Sequence, residues 1–350
     1  MKPIRFNADY EIALFEKKNG PQLLNHSLEF LALYLEDRPL FSSKNYDINF
    51  LNHIEAVSGF RPRITLSSDY ENWWGAMSDT ALEKKLNSKE LVPSLSSECQ
   101  LVSSLEELNL ESGKKYLAKN PYGMSGQNFL VFQKGEESKL KDLLFQGQKM
   151  IVEPLFNRLR DFSHYVFPDG RIICYENLVD GFFQYKGTVF RDLHRTEYSY
   201  LSFYKDVENT KWQKFEVEFN LIIQKLRDQG AKSGFSIDSF TYEEDGEFKI
   251  RTISEVNYRK TMGLITWLLS RKYGGSNTWS MLVMGKALKE KNPFQYVQQR
   301  IEKIPNCLHL SPGNTRFEMF FLSASSPEEG RDLFKELKRL LPDCKFSIEI

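Results

Sequence analysis

The segment that most restricts the fold of this chain spans residues 234–263 and reads GFSIDSFTYEEDGEFKIRTISEVNYRKTMG. Two runs rich in apolar residues are separated in it by Asp245 and Gly246. An Asp-Gly pair between two such runs favours the tight turn of a β-hairpin, because these residues accept positive φ angles. The segment is therefore predicted to form two neighbouring antiparallel strands.

Three side chains with hard oxygen donors lie on these two strands. Asp238 is on the first strand, while Glu255 and Asn257 are two residues apart on the second and so share one face. Two carboxylates and an amide oxygen suit Mg²⁺, and the apolar surroundings predict a semi-buried cleft in which a carboxylate needs a partner. The alternative is that Glu255 pairs with Arg259 or Lys260 on a solvated strand end.

The composition is that of an ordinary globular protein without a dominant charge. The 350 residues are enough for two or three domains, and Lys plus Arg (47) balances Asp plus Glu (47). No apolar run approaches the roughly 20 residues of a membrane span. We therefore expect neither a nucleic-acid partner nor a membrane partner.

The first residues and the cysteines indicate a cytoplasmic protein. The opening sequence MKPIRFNADYEIALF lacks the apolar stretch of a secretory signal. The cysteines are widely spaced without a CxxC pair, which argues against structural zinc and for reduced thiols. They are Cys99, Cys174, Cys307 and Cys344.

The pattern of apolar residues changes along the chain. The first ninety residues alternate short apolar runs with amphipathic stretches, which predicts βα units around a small, mostly parallel sheet. A helix follows, with Ser78 or Asp79 as its N-cap. From residue 114 onward, strands joined by Gly-containing turns predict antiparallel pairing. After Gly263 the sequence predicts a helix, a loop, a strand (RFEMFFLSA), a helix (SPEEGRDLFKELKRLL) and a last strand (CKFSIEI).

Residues 119–129, KNPYGMSGQNF, interrupt two predicted strands. Gly123 and Gly126 let main-chain N–H groups approach an anion, Ser125 adds a hydroxyl donor, and Lys119 brings a positive charge. Such a loop can lie over the phosphates of a nucleotide. An ordinary hairpin turn explains the same residues, and a lone glycine motif favours that simpler interpretation.

A third motif, KMIVEPLFNRLRDFSHYVF, begins with an apolar strand at residues 150–152. That strand ends at Glu153 and Pro154, and a polar segment then leads to Asp161 and another strand. Taken alone, a strand ending in an acid and a proline is ordinary.

Together, the three motifs resemble those of the ATP-grasp superfamily, the group containing D-alanine–D-alanine ligase and biotin carboxylase. The resemblance lies in motif order and spacing and covers residues 78–263. It implies a mixed α/β and α+β chain with an ATP-grasp fold. We expect an amino-terminal pre-ATP-grasp (Rossmann-like) domain at 1–92 and a small subdomain with the lysine strand and glycine loop at 93–152. A large subdomain at 153–350 is expected to carry the metal hairpin and a strand–helix–strand extension.

The resemblance also implies roles for individual residues. Lys119 would contact the nucleotide phosphates, Glu153 would face the adenine amino group, and Asp161 would hold the ribose. The backbone around Leu155 and Phe156 would border the adenine ring. The phosphate lid would include Gly123, Ser125 and Gly126, and the ligands of one or two Mg²⁺ (or Mn²⁺) ions would be Asp238, Glu255 and Asn257.

One position departs from the family pattern. Members often carry a second phosphate-binding lysine at the start of the helix before the lysine strand, and Thr80 stands there in this chain. Lys84 lies one turn further along the same helix face and is predicted to reach the phosphates instead.

The implied reaction is that of an ATP-dependent ligase that releases ADP and phosphate. A small-molecule or peptide carboxylate would be activated as an acyl phosphate and then joined to an amine. Lys119 and Arg259 would be the catalytic residues, with Arg259 holding the substrate carboxylate or the acyl phosphate. For Arg259 the alternative is a surface ion pair with Glu255. The sequence leaves homodimer formation open.

Two other functions use the same residues. One is an ATP-grasp kinase that phosphorylates a small molecule and stops there. The other is a nucleotide-binding module without catalysis, against which the intact set of predicted metal ligands argues.

In the amino-terminal domain, Asn7, Asp9 and Glu11 follow a strand where α/β sheets bind ligands. Trp73 and Trp74 either line a substrate pocket or, as we slightly favour, pack between domains.

Overall fold

The computed structural model describes residues 1–16, 23–122, 129–145, 147–181, 183–191 and 209–349. These residues form three β-sheets. Within these ranges, no helix is both long enough and apolar enough to cross a membrane.

The amino-terminal sheet is small and parallel, as the alternating pattern predicts. Its four strands run in the order β3-β2-β1-β4, and every recorded pairing is parallel. Asp47 and Asp79 begin two of the neighbouring helices by accepting a main-chain N–H bond at the N-cap. The strands are β1 (Ile4–Arg5), β2 (Leu40–Phe41), β3 (Ile64–Thr65) and β4 (Glu71–Asn72), and the helices are α1 (Tyr10–Glu16), α2 (Leu23–Leu28), α3 (Leu31–Leu35), α4 (Ile48–Ser58) and α5 (Thr80–Asn87).

The second sheet is antiparallel and has its own core. Its order is β5-β8-β6-β7, and the side chains of Val102, Tyr116, Phe132 and Val152 pack together beside it. The β6–β7 pairing confirms the two strands predicted around residues 119–129. The strands are β5 (Gln100–Val102), β6 (Lys115–Lys119), β7 (Phe129–Gln133) and β8 (Met150–Pro154), with helices α6 (Val92–Leu95) and α7 (Ser138–Phe145).

The third sheet has eight strands in the order β13-β12-β9-β10-β11-β14-β16-β15, and its recorded pairings are antiparallel. The strands are β9 (Asn157–Val166), β10 (Ile172–Val179), β11 (Tyr185–Arg191), β12 (Phe235–Glu244), β13 (Glu247–Asn257), β14 (Trp279–Lys286), β15 (Cys307–His309) and β16 (Phe317–Ala324). The helices are α8 (Asn209–Asp228), α9 (Met262–Tyr273), α10 (Pro293–Ile301) and α11 (Pro327–Leu340).

The predicted hairpin is confirmed as β12 and β13. Asp238 stands opposite Glu255 in the register, and Ser236 stands opposite Asn257. The α8 helix packs on the other face of this region, where Phe162 and Ile237 are buried. Because register partners point to the same side of a sheet, Asp238, Glu255 and Asn257 share the face away from α8.

Two predictions for the carboxyl-terminal region are wrong. The segment predicted as a loop before β16 contains β14, α10 and β15. The predicted last strand of the strand–helix–strand extension is not formed by residues 345–349. Phe346 and Ile348 are buried there between exposed neighbours, and Phe346 lies against Gly285 of β14. The alternation therefore reflects packing across the sheet, because one-sided burial produces the same pattern as strand pairing.

The amino-terminal sheet and the eight-stranded sheet share one hydrophobic core. Phe6 and Phe50 belong to the same buried cluster as Leu269, Leu282 and Phe321. This shared core holds the carboxyl ends of the parallel strands near the β12–β13 hairpin. The domain boundaries at residues 92 and 152 stay a prediction, although β8 and its Glu153 belong to the second sheet.

Candidate active site

Lys119 lies at the end of β6 and forms an ion pair with Glu153 on the neighbouring strand β8. Burial lowers the pKa of Lys119, and the Glu153 carboxylate opposes that effect. Both side chains lie near strand ends and are largely buried, so the lysine charge is held at the junction of the second and third sheets. The structure thus brings together two of the residues that the ATP-grasp resemblance selects.

Glu153 itself is almost completely buried, with a side-chain exposure of 1%. Arg158 lies 3.7 Å and Arg251 3.6 Å from its carboxylate oxygens. Burial alone would raise the pKa of Glu153, but Lys119 and Arg251 outweigh it and the pKa is lowered. The adenine contact stays a prediction, and the contacts in this structure make Glu153 the shared counter-ion of three cations.

Asp161 and the residues after Glu153 surround this cluster. Asp161 accepts a hydrogen bond from Arg158 at 3.1 Å, and burial raises the pKa of Asp161 against the effect of Arg158. The Leu155 N–H already donates to the carbonyl of Lys115 at 2.8 Å, and the Phe156 ring packs on Tyr242. Their ribose and adenine contacts stay predictions.

The three predicted metal ligands lie together on the β12–β13 hairpin. Asp238 accepts from Asn257 Nδ2 at 3.0 Å and from Ser163 Oγ at 2.5 Å. Burial and the nearby Glu255 carboxylate raise the pKa of Asp238 to about 7. Asn177 donates to Ser163 at 2.6 Å and extends the polar network along the sheet. Two acids are therefore held close together, and the deeper one is removed from water.

Lys89 is the residue that the sequence analysis missed. Its Nζ lies 3.0 Å from Glu255 Oε1 with only 11% of the side chain exposed, and its charge also lowers the pKa of Lys119. In the described chain Lys84, the predicted second phosphate lysine, makes no ion pair with this cluster. The sequence around α5 offers three lysines without a signal that distinguishes them, Lys84, Lys85 and Lys89. The turn after α5 is what brings Lys89 to the hairpin.

Arg259 reaches the same cluster from the end of β13. Its Nε donates to Glu11 of α1 at 2.8 Å, so its partner is Glu11 where the alternative interpretation expected Glu255. Burial alone would lower the pKa of Arg259, but Glu11 outweighs it, with smaller contributions from Glu255 and Asp238. The guanidinium is thus fixed between the amino-terminal segment and the predicted metal ligands.

The other amino-terminal candidates are structural. Asn7 is buried and holds the segment around Trp74 by accepting from the Trp74 N–H at 2.8 Å and donating to the Gly75 carbonyl at 2.9 Å. Trp73 and Trp74 are buried against Phe6. The packing interpretation of the tryptophans is the one that the structure supports.

The predicted lid residues Gly123, Ser125 and Gly126 lie outside the described residues. In the part of the chain that is described, no group of three or more His, Cys, Asp or Glu side chains is placed to hold a metal. The hairpin set contains two such acids and an amide. Its chemistry fits a hard divalent cation, because carboxylate and amide oxygens are the ligands that such an ion prefers.

The fold matches solved structures of ATP-using enzymes. An ADP complex of N5-carboxyaminoimidazole ribonucleotide synthetase is 12% identical, with 91% of this chain and 95% of that chain covered at a TM-score of 0.51. Because this likeness spans nearly the whole chain, the protein has the ATP-grasp fold that the motif order predicts.

Two further structures are similar over smaller shares. The synthase from Aspergillus clavatus with ADP and 5-aminoimidazole ribonucleotide is 10% identical, covering 79% of this chain and 77% of that chain at a TM-score of 0.49. L-amino acid ligase from Bacillus licheniformis is 12% identical, covering 74% and 72% at a TM-score of 0.47. No family model matches the sequence. No curated protein matches it significantly either.

Proposed function

We propose that this protein is an ATP-dependent ligase that activates a carboxylate as an acyl phosphate and joins it to an amine, releasing ADP and phosphate. The observation that carries the proposal is that the paired acids Asp238 and Glu255 have three cations near them, in a chain with the ATP-grasp fold. Lys89 pairs with Glu255, Arg259 lies between Glu11 and the hairpin, and Lys119 pairs with Glu153 on the neighbouring sheet.

The hairpin residues have the role of holding a divalent cation. Asp238, Glu255 and Asn257 would bind Mg²⁺, which when bound neutralises charge on the nucleotide phosphates. Ser163 and Asn257 fix the orientation of the Asp238 carboxylate by their hydrogen bonds. The hairpin therefore needs little rearrangement to bind an ion, because its donors are already oriented.

The cations around the hairpin would bind the anionic groups of the reaction. Lys89 is partly buried beside Glu255 and Lys119 beside Glu153, where a fixed positive charge stabilises a transferring phosphoryl group more than it would in water. Arg259 would hold the substrate carboxylate in a defined orientation, since Glu11 leaves part of its guanidinium fork for another partner.

The test is whether ADP release requires both a carboxylate and an amine. Purified protein with Mg–ATP is incubated with pools of amino acids, dicarboxylates and amines, and ADP and new amides are followed by a coupled assay and mass spectrometry. An amide formed in step with ADP supports the ligase. A stable phosphorylated product without any amine requirement would identify a kinase and overturn the proposal.

The hairpin itself offers matched variants. Asp238→Asn and Glu255→Gln should reduce turnover at least about 100-fold, the scale on which one charge-stabilising group acts. The same chemical changes at Asp245→Asn in the turn and Glu247→Gln at the exposed start of β13 should leave turnover near that of the wild type. Equal rates in all four variants would refute the metal assignment.

A further inference from the structure

A cavity lies beside the carboxyl end of β2 in the amino-terminal parallel sheet, where open α/β sheets bind ligands. Its volume is about 580 Å³, within the range of small-molecule sites. The polar residues that line it come from α2, from the segment after β2 and from the loop before β16. They are His26, Ser27, Ser43, Lys44, Asn314, Thr315 and Arg316.

A buried carboxylate holds two walls of this cavity together. Glu29 is 1% exposed, and it accepts hydrogen bonds from Ser42 Oγ at 2.6 Å and from Asn25 Nδ2 at 2.9 Å. Ser42 in turn accepts from the Lys44 N–H at 3.0 Å. The segment after β2 and the α2 helix are thus fixed to each other beneath the cavity, so its shape does not depend on a ligand.

The third wall is equally well defined. In the loop before β16, Thr315 Oγ1 donates to the Phe317 carbonyl at 2.7 Å, and Ser311 Oγ donates to the same oxygen at 3.0 Å while accepting from Met319 N–H. Arg316 lies over the Phe317 ring with its charge exposed. These hydrogen bonds hold the backbone of the loop, and the loop presents the Arg316 cation to the cavity.

The charge of the lining is one-sided. Lys44 and Arg316 carry positive charge, and no Asp or Glu is among the cavity-lining residues that the structure describes. Ser43 adds a hydroxyl group, whereas the hydroxyls of Ser27 and Thr315 already donate to main-chain carbonyls. The Glu29 carboxylate beneath the cavity offsets part of the Lys44 charge, so the exposed Arg316, together with Lys44 and Ser43, forms the site for an oxyanion such as a phosphate or a carboxylate group.

The cavity is linked to the candidate active site by the start of α1. Asn25 of α2 accepts from the Ala8 N–H at 2.9 Å, and three residues later Glu11 pairs with Arg259. The α2 helix, which forms one wall of the cavity, and the Glu11–Arg259 pair are therefore both attached to the same short stretch of chain, residues 8–11.

We propose that this cavity binds a small organic anion through Lys44 and Arg316, and that this anion is the acceptor substrate. Its role as acceptor rests on the proposed ligase function, whereas the binding itself does not. The site then confers specificity for substrates that carry a phosphate or carboxylate group away from the reacting atoms.

Calorimetric titration without nucleotide tests the binding. The probes are ribose 5-phosphate with ribose as its neutral match, and succinate with succinamide as its neutral match, all at constant ionic strength. We expect one anion of the two pairs to bind and its neutral match not to bind. Phosphate or carboxylate selectivity follows from which anion binds, and failure of both anions overturns the proposal.

Variants locate the bound anion. Lys44→Gln and Arg316→Gln should each raise the Kd at least about tenfold, while Lys303→Gln, an exposed lysine elsewhere, should leave it unchanged. Arg316 is exposed, so its variant should fold even if Lys44→Gln does not. Lys119→Met should retain binding. Binding that is lost in Lys119→Met but kept in both cavity variants would place the anion in the nucleotide site and overturn the proposal.

The two proposals fail separately in this design. Anion binding with no ATP turnover would reject the ligase function and keep the cavity site, because the titration needs no nucleotide. ATP turnover that is unaffected in Arg316→Gln, together with unchanged anion affinity, would reject the cavity site alone.

Discussion

Glu153 shows at the scale of single residues how this site is held in place. A carboxylate with 1% exposure is costly unless it is compensated, and here Lys119, Arg158 and Arg251 all lie within 4 Å of it. Arg251 is in turn paired with Glu98 at the surface. Removing any one cation leaves Glu153 with others, so this carboxylate serves to position Lys119 while tolerating its loss.

Lys119 is therefore the residue to change first. Lys119→Met keeps the length of the stem but removes the charge, and we expect ATP turnover to fall about 100-fold or more while the protein stays folded. Lys115→Met, an exposed lysine on the same strand, is the matched control. Steady-state kinetics with circular dichroism would check both variants, and near-normal turnover in Lys119→Met would exclude a phosphate role.

His164 predicts a dependence of stability on pH. Burial lowers its pKa to about 3 from the ordinary 6.5, so between these pH values the unfolded chain binds the proton that the folded chain does not. By linkage, the free energy of unfolding then decreases as the pH falls below about 6.5.

Urea denaturation at pH 7 and pH 5 measures this effect. We expect acidification to cost the wild type about 2 kcal/mol more than it costs His164→Phe, in which the ring cannot titrate. For each protein, the free energy of unfolding at pH 5 is subtracted from that at pH 7. This difference cancels the packing change of the variant, which is the same at both pH values. An equal loss in both proteins would show that His164 is protonated in the folded state.

At the scale of elements, successive side chains of β9 point alternately to the candidate site and to the hydrophobic core. Asp161 and Ser163 face the candidate site, while Phe162 and His164 pack toward α8. Because the side-chain period of a strand is two, a register shift of one residue would bury Asp161 and expose Phe162. The pairing of β9 with both β10 and β12 fixes that register.

The start of α9 is set by one close approach to this sheet. A Cβ built on Gly263 would lie 1.8 Å from the Tyr175 ring, and the Tyr175 hydroxyl is hydrogen-bonded to Thr261, the N-cap of α9. The tyrosine therefore clamps the turn that joins the hairpin to the helix.

Gly263→Ala should destabilise the protein by about 1–3 kcal/mol through overpacking. Gly181→Ala, where an added Cβ meets no atom within 4 Å, should change the stability by less than about 0.5 kcal/mol. Chemical denaturation of both variants checks the prediction, and equal stabilities would mean that Tyr175 moves aside without cost.

At the scale of the whole molecule, the three sheets do not contribute equally to one core. The amino-terminal and eight-stranded sheets share a buried cluster. The β5–β8 sheet has one face around a separate small cluster and contributes Ile151 from its other face to the cluster beneath α8. Regions with fewer buried contacts open at lower free energy. The sheet that carries Lys119 is thus the part best suited to move when a nucleotide binds.

Hydrogen exchange followed by mass spectrometry tests this difference. Peptides from residues 100–154 should exchange faster than those from β12 and β14, and Mg–ATP should slow them most. The eight-stranded sheet is the internal control. Uniform exchange across all three sheets would show that the second sheet is as strongly held as the rest.

The sequence by itself determined the features that depend on local patterns. Alternation of apolar residues and the Asp245–Gly246 turn predicted the hairpin, and the order of three motifs predicted the ATP-grasp fold. The same reliance on pattern produced the error at Phe346 and Ile348, because a segment packed across a sheet alternates as a strand does.

Only the tertiary structure decided which charged groups meet. Lys89 pairs with Glu255, and Arg259 pairs with Glu11, a residue 248 positions away in the chain. Lysine and arginine side chains are long, and the residues next to them in sequence do not show which acid each one will contact. The partner is therefore set by which segments the fold brings together. Burial then makes those choices matter, because a charge removed from water needs the partner that the fold provides.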